Sequence, residues 1–117
     1  MIALDAHTKV YLARGHTDMR CQIDGLAARV EDVLQADPFS SHLFVFCNRA
    51  RDKIKVLVWY RNGFWLWYRR LEKQRFWWPA GTEQSSVELS VRELQLLLEG
   101  LDPTAVQGHL KASFSLL

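Results

Sequence analysis

The dipeptide Asn62-Gly63, set between the apolar runs 53–60 and 64–71, constrains the fold of this chain more than any other feature. Asn-Gly between two such runs signals a β-hairpin, because a type I′ turn needs positive φ at both central residues. With Asn62 and Gly63 as the loop, Arg61 opposes Phe64, Tyr60 opposes Trp65, Trp59 opposes Leu66, Val58 opposes Trp67 and Leu57 opposes Tyr68. One face then carries Ile54, Val56, Val58, Tyr60, Trp65, Trp67 and Arg69, and the other carries Lys53, Lys55, Leu57, Trp59, Leu66, Tyr68 and Arg70. Both faces are apolar near the turn and basic toward the open end, so the sheet needs a cover on each side.

The remaining elements follow from period and punctuation. Residues 9–14 read as a short strand ended by Gly15. Thr17 or Asp18 is then expected to cap a helix whose apolar stripe is Met19, Ile23, Leu26, Val30, Val33 and Leu34. Gly25 inside that stripe suggests close approach of another backbone, and Asp37-Pro38 is expected to stop the helix. Residues 43–47 are apolar throughout and strand-like, whereas residues 48–52 form a polar, basic connection. A further short strand is expected over residues 75–78, which gives an antiparallel meander, followed by a Gly/Thr/Ser-rich loop over 80–86. Ser90 and Glu93 make an S-x-x-E capping box, and Leu94, Leu97, Leu98 and Leu101 make the stripe of a second helix ending at Gly100. The expected fold is therefore α+β, with four to five strands and two packed helices. Its single domain spans residues 1–102, and residues 103–117 are expected to be a mobile C-terminal tail.

The 117-residue length suits one core, and 49% hydrophobic with 24% charged residues is globular composition rather than disorder. No signal peptide or membrane-length apolar run is recognisable, so a cytoplasmic protein is expected. The net charge of +2 conceals a strong local imbalance. Residues 1–42 carry −2, residues 80–117 carry −3, and residues 43–79 carry +7, with nine Lys or Arg among eleven aromatic side chains. Concentrated positive charge attracts phosphate backbones or acidic protein surfaces.

Catalytic chemistry has little support in the sequence. Cys21 and Cys47 lack metal-ligand spacing and read as buried or half-buried thiols, and His7, His16, His42 and His109 form no i,i+4 pair. The carboxylates Asp5, Asp18, Asp24, Glu31, Asp32 and Asp37 lie near the first helix without motif spacing, and a solvated face with a cap accounts for them. No nucleophile elbow or phosphate-binding glycine loop occurs. Neither an active site nor a metal or cofactor is expected. Binding is the better reading, with Arg49, Arg51, Lys53, Lys55, Arg69, Arg70, Lys73 and Arg75 as candidates to track a nucleic-acid backbone from one end of the sheet. Trp59, Trp65, Trp67, Tyr68 and Trp77 are candidates to stack bases, to fill the core, or to anchor a protein interface or a homo-oligomer.

A series of motifs also resembles a known family. Thr17-Asp18-Met19-Arg20, Asp24-Gly25-Leu26, Asp37-Pro38-Phe39-Ser40, His42 to Phe46, Arg51-Asp52-Lys53-Ile54-Lys55, Asn62 to Tyr68, Arg70-Leu71-Glu72, Trp78-Pro79 and Leu97-Leu98-Glu99-Gly100 occur in that family's order over about residues 1–102. The chain is similar to the TnpB-type accessory proteins of insertion-sequence-66-like bacterial transposons. It departs from their usual pattern at Cys21-Gln22, Cys47, Ala50 and Tyr60 and in its less basic tail. The resemblance implies a non-catalytic helper acting with the transposase of the same element through DNA, the transposase or both. It assigns no role to Thr17, Asp18, Met19 and Arg20. The competing expectation is a protein-binding scaffold or oligomerisation module with no nucleic-acid affinity.

Overall fold

Residues 43–47 are buried at all five positions, so this strand has no polar face and needs a cover on both sides. The computed structural model, which describes residue 4, residues 7–81 and residues 84–104, places it at the centre of a five-stranded sheet. In chain order the elements are β1 (Val10–Ala13), α1 (Ile23–Asp32), β2 (Leu43–Cys47), β3 (Lys53–Tyr60), β4 (Gly63–Arg70), β5 (Ser86–Leu89) and α2 (Val91–Leu98). The spatial order is β4-β3-β2-β1-β5.

The α+β class expected from sequence is the observed one, but only β2, β3 and β4 form a meander. β1 runs parallel to β2, with Val10 opposite Leu43, and the long connection between them carries α1 across one face. β5 pairs antiparallel with the other side of β1. Residues 75–78 are not a strand. This aromatic run crosses the ends of the strands instead: Phe76 N donates to Arg51 O at 2.6 Å, and Trp78 Nε1 donates to Ala13 O and Gly15 O at 3.0 and 2.8 Å. Gly15 turns the chain there with φ +73°, a conformation that favours glycine. The fifth strand, Ser86–Leu89, overlaps the expected 80–86 loop only at Ser86 and otherwise occupies residues 87–89, for which the sequence reading names no element.

The hairpin faces are as the alternation required, yet the register differs by two residues. Tyr60 opposes Gly63, Trp59 opposes Phe64, Leu57 opposes Leu66 and Lys53 opposes Arg70. The two turn residues are Arg61, at φ +59°, and Asn62, so Gly63 opens β4. A two-residue slip leaves every side chain on its own face, and burial alone does not distinguish the two registers. The observed one sets Trp59 and Phe64 edge to face, 5.0 Å apart, with Phe39 packed on both.

Each helix covers one face. α1 packs Leu26 and Val30 over Phe44, Phe46 and Leu57, while α2 packs Leu94 and Leu97, with Phe76, over Val45, Ile54 and Val56. The start of α1 differs from the expected cap. Its N-cap is Gln22, which makes no side-chain cap bond, and Thr17 and Asp18 belong to the preceding connection. The helix ends at Asp32, before Pro38, and Val33 of the expected stripe is exposed. Nearest to a Cβ on Gly25 would be the Cys21 side chain, so no other backbone approaches it. The capping box of α2 is present: Glu93 N donates to Ser90 Oγ and Ser90 N to Glu93 Oε1. Gly100 follows at φ +88°, and Leu101 lies exposed rather than on the buried stripe. The tail expectation for residues 103–117 falls mostly outside the described residues.

Candidate nucleic-acid interface

The loop between β2 and β3 is built by one side chain. Asn48 Oδ1 accepts from the backbone N–H groups of Asp52 and Lys53, both at 3.0 Å, and Asn48 Nδ2 donates to the Asp52 carboxylate at 2.6 Å. The hydrogen bond from Asn48 and the neighbouring Lys53 ammonium hold the Asp52 carboxyl below its usual range. Arg51 takes the left-handed conformation, φ +61°, and the loop thereby turns Arg49 and Arg51 toward solvent. The segment after β4 is stitched to this loop. Leu71 N donates to Asp52 O at 2.8 Å, Phe76 N to Arg51 O, and the Arg75 guanidinium to Ala50 O. The segment that carries Lys73 and Arg75 therefore runs beside the loop that carries Arg49 and Arg51. A cavity of about 300 Å³ opens here, lined by Gly15, His16, Arg49, Arg51, Trp78 and Pro79 among others.

The eight basic candidates separate into two groups. Lys55 is a correction to the sequence reading: only 6% exposed, it donates from Nζ to Met19 O at 2.7 Å, Cys21 O at 2.8 Å and Gln22 Oε1 at 3.3 Å. It lies opposite Phe46 under the chain that leads into α1, and its charge serves partly buried backbone carbonyls rather than solvent. Lys53 pairs with Asp52 at 3.3 Å and Arg70 with Glu72 at 2.9 Å. Arg69 Nε donates to Leu98 O at 2.6 Å, at the C-terminus of α2, where a cation complements the helix dipole. Arg49, Arg51 and Lys73 remain exposed, with no carboxylate at ion-pair distance among the described residues. His16, lining the same cavity, escaped the sequence reading because it lies far from the basic run in sequence; only the return of the chain at Gly15 brings it there.

The aromatic candidates also divide. Trp77 is half-buried against the core, and Trp59 sits half-buried among Phe39 and Phe64. Trp65, Trp67 and Tyr68 of β4 remain 51%, 36% and 54% exposed.

The Thr17-Asp18-Met19-Arg20 motif makes a structural connection. Thr17 is buried with its N–H on Cys47 O at 2.8 Å, and Met19 O receives Lys55. Asp18 accepts from Arg20 N at 2.9 Å and pairs with the Arg20 guanidinium at 2.7 Å, which lowers its carboxyl pKa to about 2. Cys47 is buried, and desolvation pushes its thiol up to about 12, so it is not a nucleophile at neutral pH. Among the described residues no group of three or more His, Cys, Asp or Glu could hold a metal ion, and no helix is long and apolar enough to cross a membrane. Asp5 and His109 lie outside the described residues.

The family profile described as IS66 Orf2 like protein matches residues 8–108. The chain is similar to "Uncharacterized protein y4hO" of Sinorhizobium fredii, 38% identical over 102 residues that cover 87% of this chain and 88% of the relative. It is also similar to "Uncharacterized protein y4jC" of the same organism, 31% identical over 107 residues that cover 92% and 91% of the two chains. No solved structure matches. With the profile spanning most of the chain and both relatives aligning over nearly their full length, the protein belongs to the IS66 Orf2-like family.

Proposed function

We propose that this protein is a non-catalytic accessory factor of transposition that binds DNA through the end of the sheet where Arg49, Arg51 and Lys73 gather. Family membership supports the link to an insertion sequence and its transposase. The observation that carries the DNA contact is the sorting of the basic segment: the other five candidates are buried, paired or bonded to backbone, whereas these three stay exposed and unneutralised by any described carboxylate. Exposed cations at one edge, beside a cavity lined by His16 and Trp78, suit contact with phosphates.

Binding to duplex DNA from the ends of the element tests this reading. Three phosphate contacts give a slope of about −2.7 for log affinity against log salt, and Arg49→Glu with Arg51→Glu brings it to about −0.9. No binding at low salt, or a slope unchanged in the double variant, sinks the DNA contact. A second reading, a protein-binding module without nucleic-acid affinity, draws on the exposed Trp65, Trp67 and Tyr68. Co-purification with the transposase of the same element, lost on replacing these aromatics and indifferent to Arg49 and Arg51, favours it.

A further inference from the structure

The two edges of the sheet are unlike. β5 is four residues long and presents the exposed Glu88, whose carboxylate pairs with Lys9 at 3.9 Å. A short, charged edge is the usual defence against strand addition. β4 is eight residues long, contains no proline, and among the described residues has β3 as its sole strand neighbour. Its unpaired edge borders the most exposed tryptophans of the sheet.

The sequence of that edge specifies an occupant. Phe64-Trp65-Leu66-Trp67-Tyr68 reads nearly the same in both directions about Leu66. A two-fold contact needs this property, because residue i must meet residue j while j meets i. We propose that a second copy of the chain pairs with β4 antiparallel to β4, centred on Leu66, to make one continuous ten-stranded sheet. Leu66 then faces its own copy, Trp65 faces Trp67 of the second molecule on one side of the sheet, and Phe64 faces Tyr68 on the other. Aromatic pairs of this kind are among the most favourable cross-strand neighbours.

Backbone and charge agree with the same centre. Tyr60 opposite Gly63 closes the two-residue turn as a hydrogen-bonded pair, so alternation turns the N–H and C=O groups of Phe64, Leu66 and Tyr68 away from β3. The pairs 64 with 68 and 66 with 66 join those groups to each other. Antiparallel pairing also sets Arg69 opposite Gly63 and Arg70 opposite Asn62. The two basic strand ends are then about 27 Å apart, beyond the screening length of about 8 Å at physiological salt. Parallel pairing would instead stack Arg69 and Arg70 on their own copies.

Sedimentation of the nuclease-treated full chain tests the proposal. The expected mass is twice the 13.6 kDa of the chain. Tyr68→Pro removes an outward N–H and leaves the β3 ladder intact, and should raise the dimer dissociation constant at least about 100-fold. Trp65→Lys, at a half-exposed position, should do the same while thermal unfolding stays cooperative. Should Tyr68→Pro fail to fold, Trp65→Lys carries the test alone. A monomeric full chain, or a dimer indifferent to these substitutions, overturns the proposal. If the full chain is monomeric and removal of residues 105–117 then yields a dimer, the edge belongs to the chain's own tail.

Discussion

β3 and β4 are two halves of one hairpin, equal in length and paired residue for residue, yet they live in different environments. Val58 is 1% exposed and its cross-strand neighbour Trp65 is 51% exposed. Lys55 is buried, while Tyr68 opposite it is exposed. Hydropathy would order the second pair the other way. What decides is place in the sheet: β3 is flanked by β2 and β4 and overlain from both faces, whereas β4 is an edge strand, covered only in part, at Phe64 and Leu66 on the α1 side and at Arg69 by the end of α2.

The largest effect expected from this difference lies at Leu57. It is fully buried beneath α1, and Leu57→Ala should cost about 2–5 kcal/mol in urea unfolding, through lost transfer energy and the cavity left behind. Trp65→Ala, on the neighbouring strand, should stay within about 0.5 kcal/mol in solution dilute enough to keep the chain monomeric. Similar losses for the two would show that β4 is covered and break the contrast.

Lys55 comes next. Lys55→Ala leaves the partly buried carbonyls of Met19 and Cys21 without their donor, which should cost toward the lower end of the about 1–3 kcal/mol of a buried unsatisfied group. The exposed Arg69 touches only the last turn of α2, so Arg69→Ala should cost roughly 0.3–1 kcal/mol. Chemical denaturation of the two variants orders them. Equal costs would mean that Lys55 is solvated when the chain is free, and would return it to the group of candidate phosphate contacts.

These contrasts explain what could be read from the residues and what could not. The α2 capping box, the central apolar strand and the division of hairpin side chains between two faces follow from local patterns, and the structure contains them. The register does not, because a shift of two preserves every face and the choice falls to the packing of Phe39, Trp59 and Phe64. β5 was illegible for another reason: Ser-Val-Glu-Leu has two apolar residues and gains its place only by pairing with β1. Residues 75–78 mislead in the opposite sense, since their aromatics cover strand ends instead of joining a ladder. At the candidate site, charge density pointed to one end of the sheet but not to which of its cations stay exposed and unpaired. Lys55 carried a usable signal, because mid-strand it shares a face with Leu57 and Leu66, where a lone cation must find buried acceptors.

The smallest expected effect concerns the connection that Lys55 holds down. Asp18, in the exposed turn before α1, has its carboxyl lowered from 3.8 to about 2, chiefly by the hydrogen bonds from Arg20. A carboxylate whose folded pKa lies below its unfolded value adds stability that is fully present above about pH 4 and is lost as pH falls toward 2. Arg20 is almost fully exposed, so salt and solvent hold that contribution small. The titration itself is the sharper measurement. Carbon-detected NMR should find the Asp18 carboxyl near 2 in the native chain and back near 3.8 in Arg20→Ala, with Lys55 still bonded and the fold unchanged. If Asp18 titrates normally in both proteins, the turn is not organised by this pair, and the buried side of the connection, Thr17 on Cys47 O and Lys55 on Met19 O, fixes its path alone.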